Sequence, residues 1–181
     1  MVAALSIFSA KYLIFLDAEI DAVVLAVFLY HRPRSAVLDW AVTMSLLLVL
    51  SYVFAQVGGV VYDDPRPFTV EHFRPLIPHA ADNGFPSDHA LLAAALVALV
   101  ALVDVPLALP FVLLAIVIDW ARVDAGIHYL IDVLGSSVFV ALATIIALLI
   151  RPVIVRWLVP RLPGWASGHR LPLKRDKHRG T

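Results

Sequence analysis

Five apolar runs, each close to the thickness of a bilayer, constrain this chain more than any other feature. A membrane-spanning helix takes about 20 mostly apolar residues, with roughly 17 to 25 accepted. Segments from Ser9 to Tyr30, Ala36 to Val57, Asp88 to Val103, Pro106 to Val123 and Leu130 to Ile150 fit, the third and fourth being about a turn short. Lipid offers no water to the backbone, so such runs must satisfy their own N–H and C=O groups as helices. With 61% apolar and only 15% charged residues over 181 positions, the chain lies outside the range of soluble domains. The expectation is an all-α, polytopic membrane helix bundle of about five transmembrane helices. Residues 1–159 form its transmembrane domain and residues 160–181 a basic cytoplasmic tail. There is no cysteine, which removes disulfides and thiolate metal sites. The opening MVAALSIFSAKYLIFL lacks a basic n-region and is read as part of the first helix, not as a leader.

The connections are unequal. HRPRS joins the first two runs and DVP the third and fourth, so both pairs are antiparallel hairpins, and Pro106 suits a first helical turn. Gly58 to Ser87 is a long connection rich in Pro, Asp and His, which predicts a functional loop. Positive charge next to spanning helices stays cytoplasmic, and ten of the fourteen Lys and Arg are Arg32, Arg34 or lie at Arg151 and beyond. HRPRS and the tail are therefore placed inside. The N-terminus, the long loop and the fourth-to-fifth junction then meet on the outer face.

Away from the basic flanks the polar residues form three groups: YDDPRPF, GFPSDHA and ARVDAGIHYLID. Ser87, immediately before an apolar helix, is a natural N-cap, and a helix start of this kind binds anions, phosphate above all. His128 and Asp132 are four apart, which stacks them on one helical face. The carboxylate can then hold one ring nitrogen and leave the other as base or nucleophile. Arg66 and Arg122 add forked cations suited to phosphate oxygens. Each has a plainer reading: Ser87-Asp88 as a cap, Arg122 as a snorkelling side chain, His128 with Asp132 as a satisfied polar pair. Together on one face they make an anion site with a nucleophile and a proton donor. A metal site from His72, His79, Asp82 and His89 is the competing reading, but these lack chelating spacing on a helix and two arginines would repel a cation.

RPF with Arg66, PSDH with Ser87 and His89, and R-x5-H-x3-D with Arg122, His128 and Asp132 resemble the three signature motifs of the phosphatidic acid phosphatase type 2 superfamily. LIPHAAD followed by FPSDH resembles its bacitracin-resistance branch, the undecaprenyl-diphosphate phosphatases, and the match in span order runs from Ser9 to about Arg156. The resemblance implies a phosphohistidine at His128, with Asp132 orienting the ring and His89 protonating the leaving group. Arg66, Arg122, Ser87 and the backbone N–H groups at Asp88 and His89 would hold the phosphoryl oxygens. It implies no metal and no cofactor, a polyprenyl diphosphate lipid as substrate, the bilayer as surroundings, and no nucleic-acid partner. His79 and Asp82 are expected to brace the loop.

This chain departs from the superfamily pattern in three places. The Lys usual seven residues before the first-motif Arg is Gly59, the usual third-motif Ser is Ala121, and the second-motif Gly is Asp88. Lys11, at the outer end of the first run, is a candidate for the missing cation, though an interfacial lysine is also an ordinary anchor. Asp17, Glu19 and Asp21 inside the first run keep a lipid or proton-coupled transporter in view. The leading expectation remains hydrolysis of undecaprenyl diphosphate, with another lipid phosphate such as phosphatidylglycerophosphate or phosphatidic acid as the near alternative.

Overall fold

The computed structural model describes residues 2–161, so most of the expected tail lies outside the described residues. The regular elements of the described chain are all helical, with no strand and a single isolated bridge between Pro65 and Asn83. Helices α1 (Val2–Phe8) and α2 (Ile14–Tyr30) are joined by a π-helical stretch, Ser9–Leu13, whose flanking residues keep right-handed helical dihedrals. The first rod is therefore continuous. Next come α3 (Arg34–Val61), the single turn α4 (Pro67–Val70), α5 (Asp88–Ala101), α6 (Val105–Asp124) and α7 (Leu130–Leu158).

Helices α3, α6 and α7 are each long and apolar enough to cross a membrane. Helix α5 has 14 residues, about 21 Å of rise, and lies among α2, α3, α6 and α7. Its inner face carries Ala93, Leu96, Leu99 and Val100, packed against Ile14 and Leu25 of α2 and Phe111, Ala115 and Ile118 of α6. The alanines let neighbouring helices approach closely, the usual means of packing where lipid is as apolar as leucine. Large apolar side chains such as Phe15, Val27, Leu113 and Leu149 face outward. That exterior suits a hydrocarbon solvent.

The helix starts follow the sequence. Ser87 caps α5, its hydroxyl accepting from the Ala90 N–H at 3.5 Å, and Asp104 caps α6 by accepting from the Leu107 N–H at 3.0 Å. Pro106 sits in the first turn of α6, where the missing N–H costs nothing. The ends are less predictable. Helix α7 continues past the expected Ile150 to Leu158, with Arg151 reaching Asp39 of α3 at 3.1 Å.

The C-terminal ends of α3 and α6, the N-terminal ends of α5 and α7, and the π-helical stretch gather at one end of the bundle. Arg32, Asp39 and Arg151 lie together at the other. In the first half of α2, Asp17 and Asp21 are buried on the same face as Ile14 and Leu25, and none of their carboxylate oxygens has a hydrogen-bond partner. Glu19 is exposed on the opposite side.

Candidate active site

Between α6 and α7 the chain turns at Gly126, whose φ is +72° and whose missing Cβ leaves room for the Phe73 ring. Only glycine meets both demands without strain. The turn delivers His128 into the bundle end, where it is 3% exposed. His128 Nδ1 lies 3.0 Å from the Gly84 carbonyl oxygen and 3.2 Å from Asp132 Oδ2. A carbonyl only accepts, so Nδ1 carries the proton and Nε2 presents its lone pair; the tautomer is assigned from these partners. Two guanidinium groups face that lone pair: Arg66 Nη1 at 3.2 Å and Arg122 Nη2 at 3.5 Å.

Asp132 is fixed in turn. It sits in the first turn of α7, where the helix N-terminus favours a carboxylate, and its Oδ2 also accepts from the Tyr129 N–H at 2.9 Å. Burial holds the His128 ring below the usual histidine range. The Asp132 hydrogen bond opposes that shift, and the positive charges of Arg122 and Arg66 reinforce it. The result is a neutral imidazole aimed at an anion-attracting space.

Both arginines are held rigidly. Arg66, 6% exposed, donates from Nε to Asp82 at 2.7 Å and from Nη1 to the Ile127 carbonyl at 2.9 Å. Asp82 is held below the usual carboxylate range by that hydrogen bond. Arg122, 4% exposed, donates from Nη1 to the Ala10 carbonyl of the π-helical stretch at 3.0 Å. The first rod thus contributes a backbone oxygen to the site.

The long loop folds over this centre and is organised by Asn83. Its Oδ1 accepts from the N–H groups of Asp64 and Phe85, at 3.0 and 2.9 Å, and its Nδ2 donates to the Gly59 and Tyr62 carbonyls at 2.9 and 3.1 Å. Beyond it, Ser136 of α7 donates to the Ser87 carbonyl at 2.9 Å and locks the start of α5 beside the start of α7. A cavity of about 550 Å³ remains, lined by Gly59, Arg66, His79, Asp82, Asp88, His89, Arg122 and His128 among others.

The structure therefore brings together His128, Asp132, Arg66, Arg122, Asp88 and His89. Ser87 is fully buried behind the cavity lining, where its hydroxyl accepts from the Ala90 N–H and caps α5. Lys11 lies on the π-helical stretch outside the cavity lining. Gly59 has its own reason: a Cβ there would come within 3.2 Å of the Phe85 carbonyl, so the loop packs where a side chain would begin. Of the two residues expected to brace the loop, Asp82 does so through Arg66. His79 instead turns into the cavity, its Nε2 3.5 Å from Arg122 Nη2. His72, with φ +55°, is exposed and outside the lining, so the four candidate metal ligands of the loop do not converge. Among the described residues no group of three or more His, Asp or Glu is arranged to hold a metal ion.

Sequence reasoning missed the fixing groups: Asn83, Ser136, and the carbonyls of Ala10, Gly84 and Ile127. Asn83 had a local signal, an Asn-Gly pair in a Pro-rich loop. The carbonyls had none.

These features define a class: polytopic membrane helix bundles carrying a buried, carboxylate-held histidine between two arginines at one end. The chain belongs to the PAP2 superfamily, whose family model matches residues 40–156. It is 36% identical over 118 residues to undecaprenyl-diphosphatase BcrC of Bacillus subtilis (strain 168), covering 64% of this chain and 59% of that protein. It is 31% identical over 166 residues to the putative undecaprenyl-diphosphatase YbjG of Escherichia coli (strain K12), covering 90% and 80%. A bacitracin transport permease protein BcrC of Bacillus licheniformis is 26% identical over 65% of this chain and 54% of that protein. The match therefore spans somewhat more than half the length of the two Bacillus proteins. The crystal structure of Aquifex aeolicus LpxE superposes with a TM-score of 0.62 at 22% identity, over 80% of this chain and 86% of that one. That likeness concerns the fold.

Proposed function

We propose that this chain is a membrane lipid phosphatase that hydrolyses undecaprenyl diphosphate to undecaprenyl phosphate and orthophosphate. One observation carries the reading: the His128 lone pair, held from behind by Asp132 and the Gly84 carbonyl, is set between two guanidinium groups. An imidazole so placed can attack a phosphorus whose oxygens the arginines hold. The Nε2–P bond forms while the bond from phosphorus to the bridging oxygen breaks, and His89 gives its proton to the departing lipid phosphate. Water then attacks the phosphohistidine, its proton passing to His89 as the P–N bond breaks and orthophosphate leaves. Arg66, Arg122 and the first N–H groups of α5 meet the developing charge, so no divalent cation is required by this route.

The lipid substrate is supported by the place of the cavity at the helix ends, where a headgroup can enter while its chain stays in hydrocarbon. The diphosphate is supported by the names of the Bacillus subtilis and Escherichia coli relatives. By the distribution of basic residues the cavity opens on the outer face and the C-terminal tail, residues 160–181, is cytoplasmic.

The test is phosphate release by the detergent-solubilised protein from undecaprenyl diphosphate, beside phosphatidic acid and phosphatidylglycerophosphate, with EDTA present. Preference for the diphosphate in EDTA is expected. Faster release from a monophosphate lipid would reassign the substrate, and turnover that needs an added divalent metal would overturn the route. A transporter would release no phosphate from any of them.

A further inference from the structure

The cavity is lined by two arginines and two aspartates, Asp82 and Asp88, yet among the described residues only one of the arginines is ion-paired. Of its cations, Arg66 is paired with Asp82 at 2.7 Å. Arg122 has no carboxylate within ion-pair distance among the described residues, and its buried Nε has no hydrogen-bond partner. Its Nη2 is shared by two imidazoles, 3.5 Å from His128 Nε2 and 3.5 Å from His79 Nε2. The two rings stand edge to face, 6.2 Å apart. His79 is half-buried, and its Nδ1 is 3.4 Å from the Ala80 carbonyl, which leaves Nε2 facing the cavity.

A phosphoryl group at His128 Nε2 would occupy one side of Arg122 Nη2. A second phosphate, one bridging oxygen away, would stay within the same cavity, where His79 shares the Arg122 guanidinium with His128. We propose that His79 and Arg122 form the subsite for the second phosphate of a diphosphate, so that His79 is the residue by which the cavity tells a diphosphate from a monophosphate. This rests on the reading of His128 as phosphoryl acceptor. Burial and the charges of Arg66, Arg122 and His128 keep the empty His79 ring below the usual histidine range. A bound diphosphate supplies the opposite charge that favours the protonated, donating form.

The experiment measures binding of methylenediphosphonate and of orthophosphate to the full-length, detergent-solubilised protein, wild type against His79→Ala and His79→Gln. The wild type should bind the diphosphonate more tightly than orthophosphate. His79→Ala should weaken diphosphonate binding about ten-fold or more, the size of one hydrogen bond to a charged group, and orthophosphate binding far less. His79→Gln, which keeps a donor, should fall between. Retained orthophosphate binding reports that the variant is folded. Equal losses for both anions, or none for either, would overturn the subsite and return His79 to bracing the loop. Because both probes are soluble, the outcome is independent of lipid preference. A protein that hydrolyses polyprenyl diphosphate yet shows no selective His79 effect loses only this inference, and one with a selective His79 effect but faster turnover of a monophosphate lipid loses only the proposed substrate.

Discussion

Two sets of buried ionisable groups lie in one small bundle under opposite rules. At the cavity, Arg66, His128 and Asp132 are all at least nine-tenths buried, and each is tied to named partners at 2.7 to 3.4 Å, leaving single atoms such as Asp132 Oδ1 and Arg122 Nε unpartnered. In α2, Asp17 and Asp21 are as deeply buried and have no partner. A carboxylate near the bilayer centre costs about 2.5 to 3.5 kcal/mol on insertion scales. The cavity offsets its cost by mutual pairing and by backbone carbonyls. Around α2 the packing is apolar, with Ile14 and Leu25 against α5 and α6 and with Trp40 and Met44 of α3 beside them. Burial alone therefore does not mark the chemistry. What separates the two regions is the direction in which the groups are held, since the cavity groups converge on one lone pair.

The widest gap between the regions should appear on deleting their central members. His128→Ala should reduce phosphate release about a thousand-fold or more, the scale seen when one member of a cooperating catalytic unit is removed, while the protein stays folded by circular dichroism. Asp17→Leu with Asp21→Leu should leave turnover near the wild-type rate. Wild-type turnover in folded His128→Ala would end the phosphohistidine mechanism. A folded double leucine variant that lost turnover would move the α2 acids into the machinery and erase the contrast.

How much of this was legible in the sequence follows from the range of each cause. Spans, hairpins and caps depend on residues within a turn of one another, and Ser87 and Pro106 stand at the helix starts expected of them. The Asp132 partner of His128 was expected from helical spacing, but His128 precedes α7, so the pair forms across the helix start and not on one helical face, with Asp132 of the first turn also accepting from the Tyr129 N–H. What could not be read were contacts made by backbone atoms far along the chain. Arg122 is anchored by Ala10, 112 residues away, and His128 by Gly84, 44 away. A carbonyl has no side-chain signature, so nothing in the residue names announces it. The Arg151–Asp39 contact is of the same kind, since it forms only where α7 and α3 pack.

A smaller effect should appear in stability. Leucine reproduces the branching of aspartate at Cγ without polar atoms, so Asp21→Leu removes two orphaned oxygens at little change of shape. Unpaired polar groups cost about 1 to 3 kcal/mol in proteins, and a gain of that order in thermal or denaturant resistance is expected in detergent and lipid. Asp17→Leu should act in the same direction. A loss of stability in both variants would mean that a proton, a water or a lipid group satisfies these carboxyls, and the two regions would then obey one rule after all.

The smallest effect is a displacement along the pH axis, and it tests whether the cavity sets the state of its nucleophile. By the proposed route, attack requires neutral His128. Burial, with Arg122 and Arg66, holds its pKa below the usual value of about 6.5, so protonation disables the ring only at lower pH. The acid limb of kcat/KM, which reports the free enzyme, should accordingly lie below about pH 6.5. The neighbours should move it in opposite directions. Arg122→Gln removes a repelling charge, makes the imidazolium easier to form, and should shift the limb upward toward the ordinary histidine value. Asp132→Asn removes the carboxylate that favours the imidazolium and should shift it further down. Both variants will be slow, so the ring is better followed directly, by NMR titration of labelled imidazole without substrate. If both substitutions moved the His128 titration the same way, or neither moved it, the arginines and the carboxylate would not be tuning this ring, and the cavity's pairing would be structural in the same sense as any buried polar cluster.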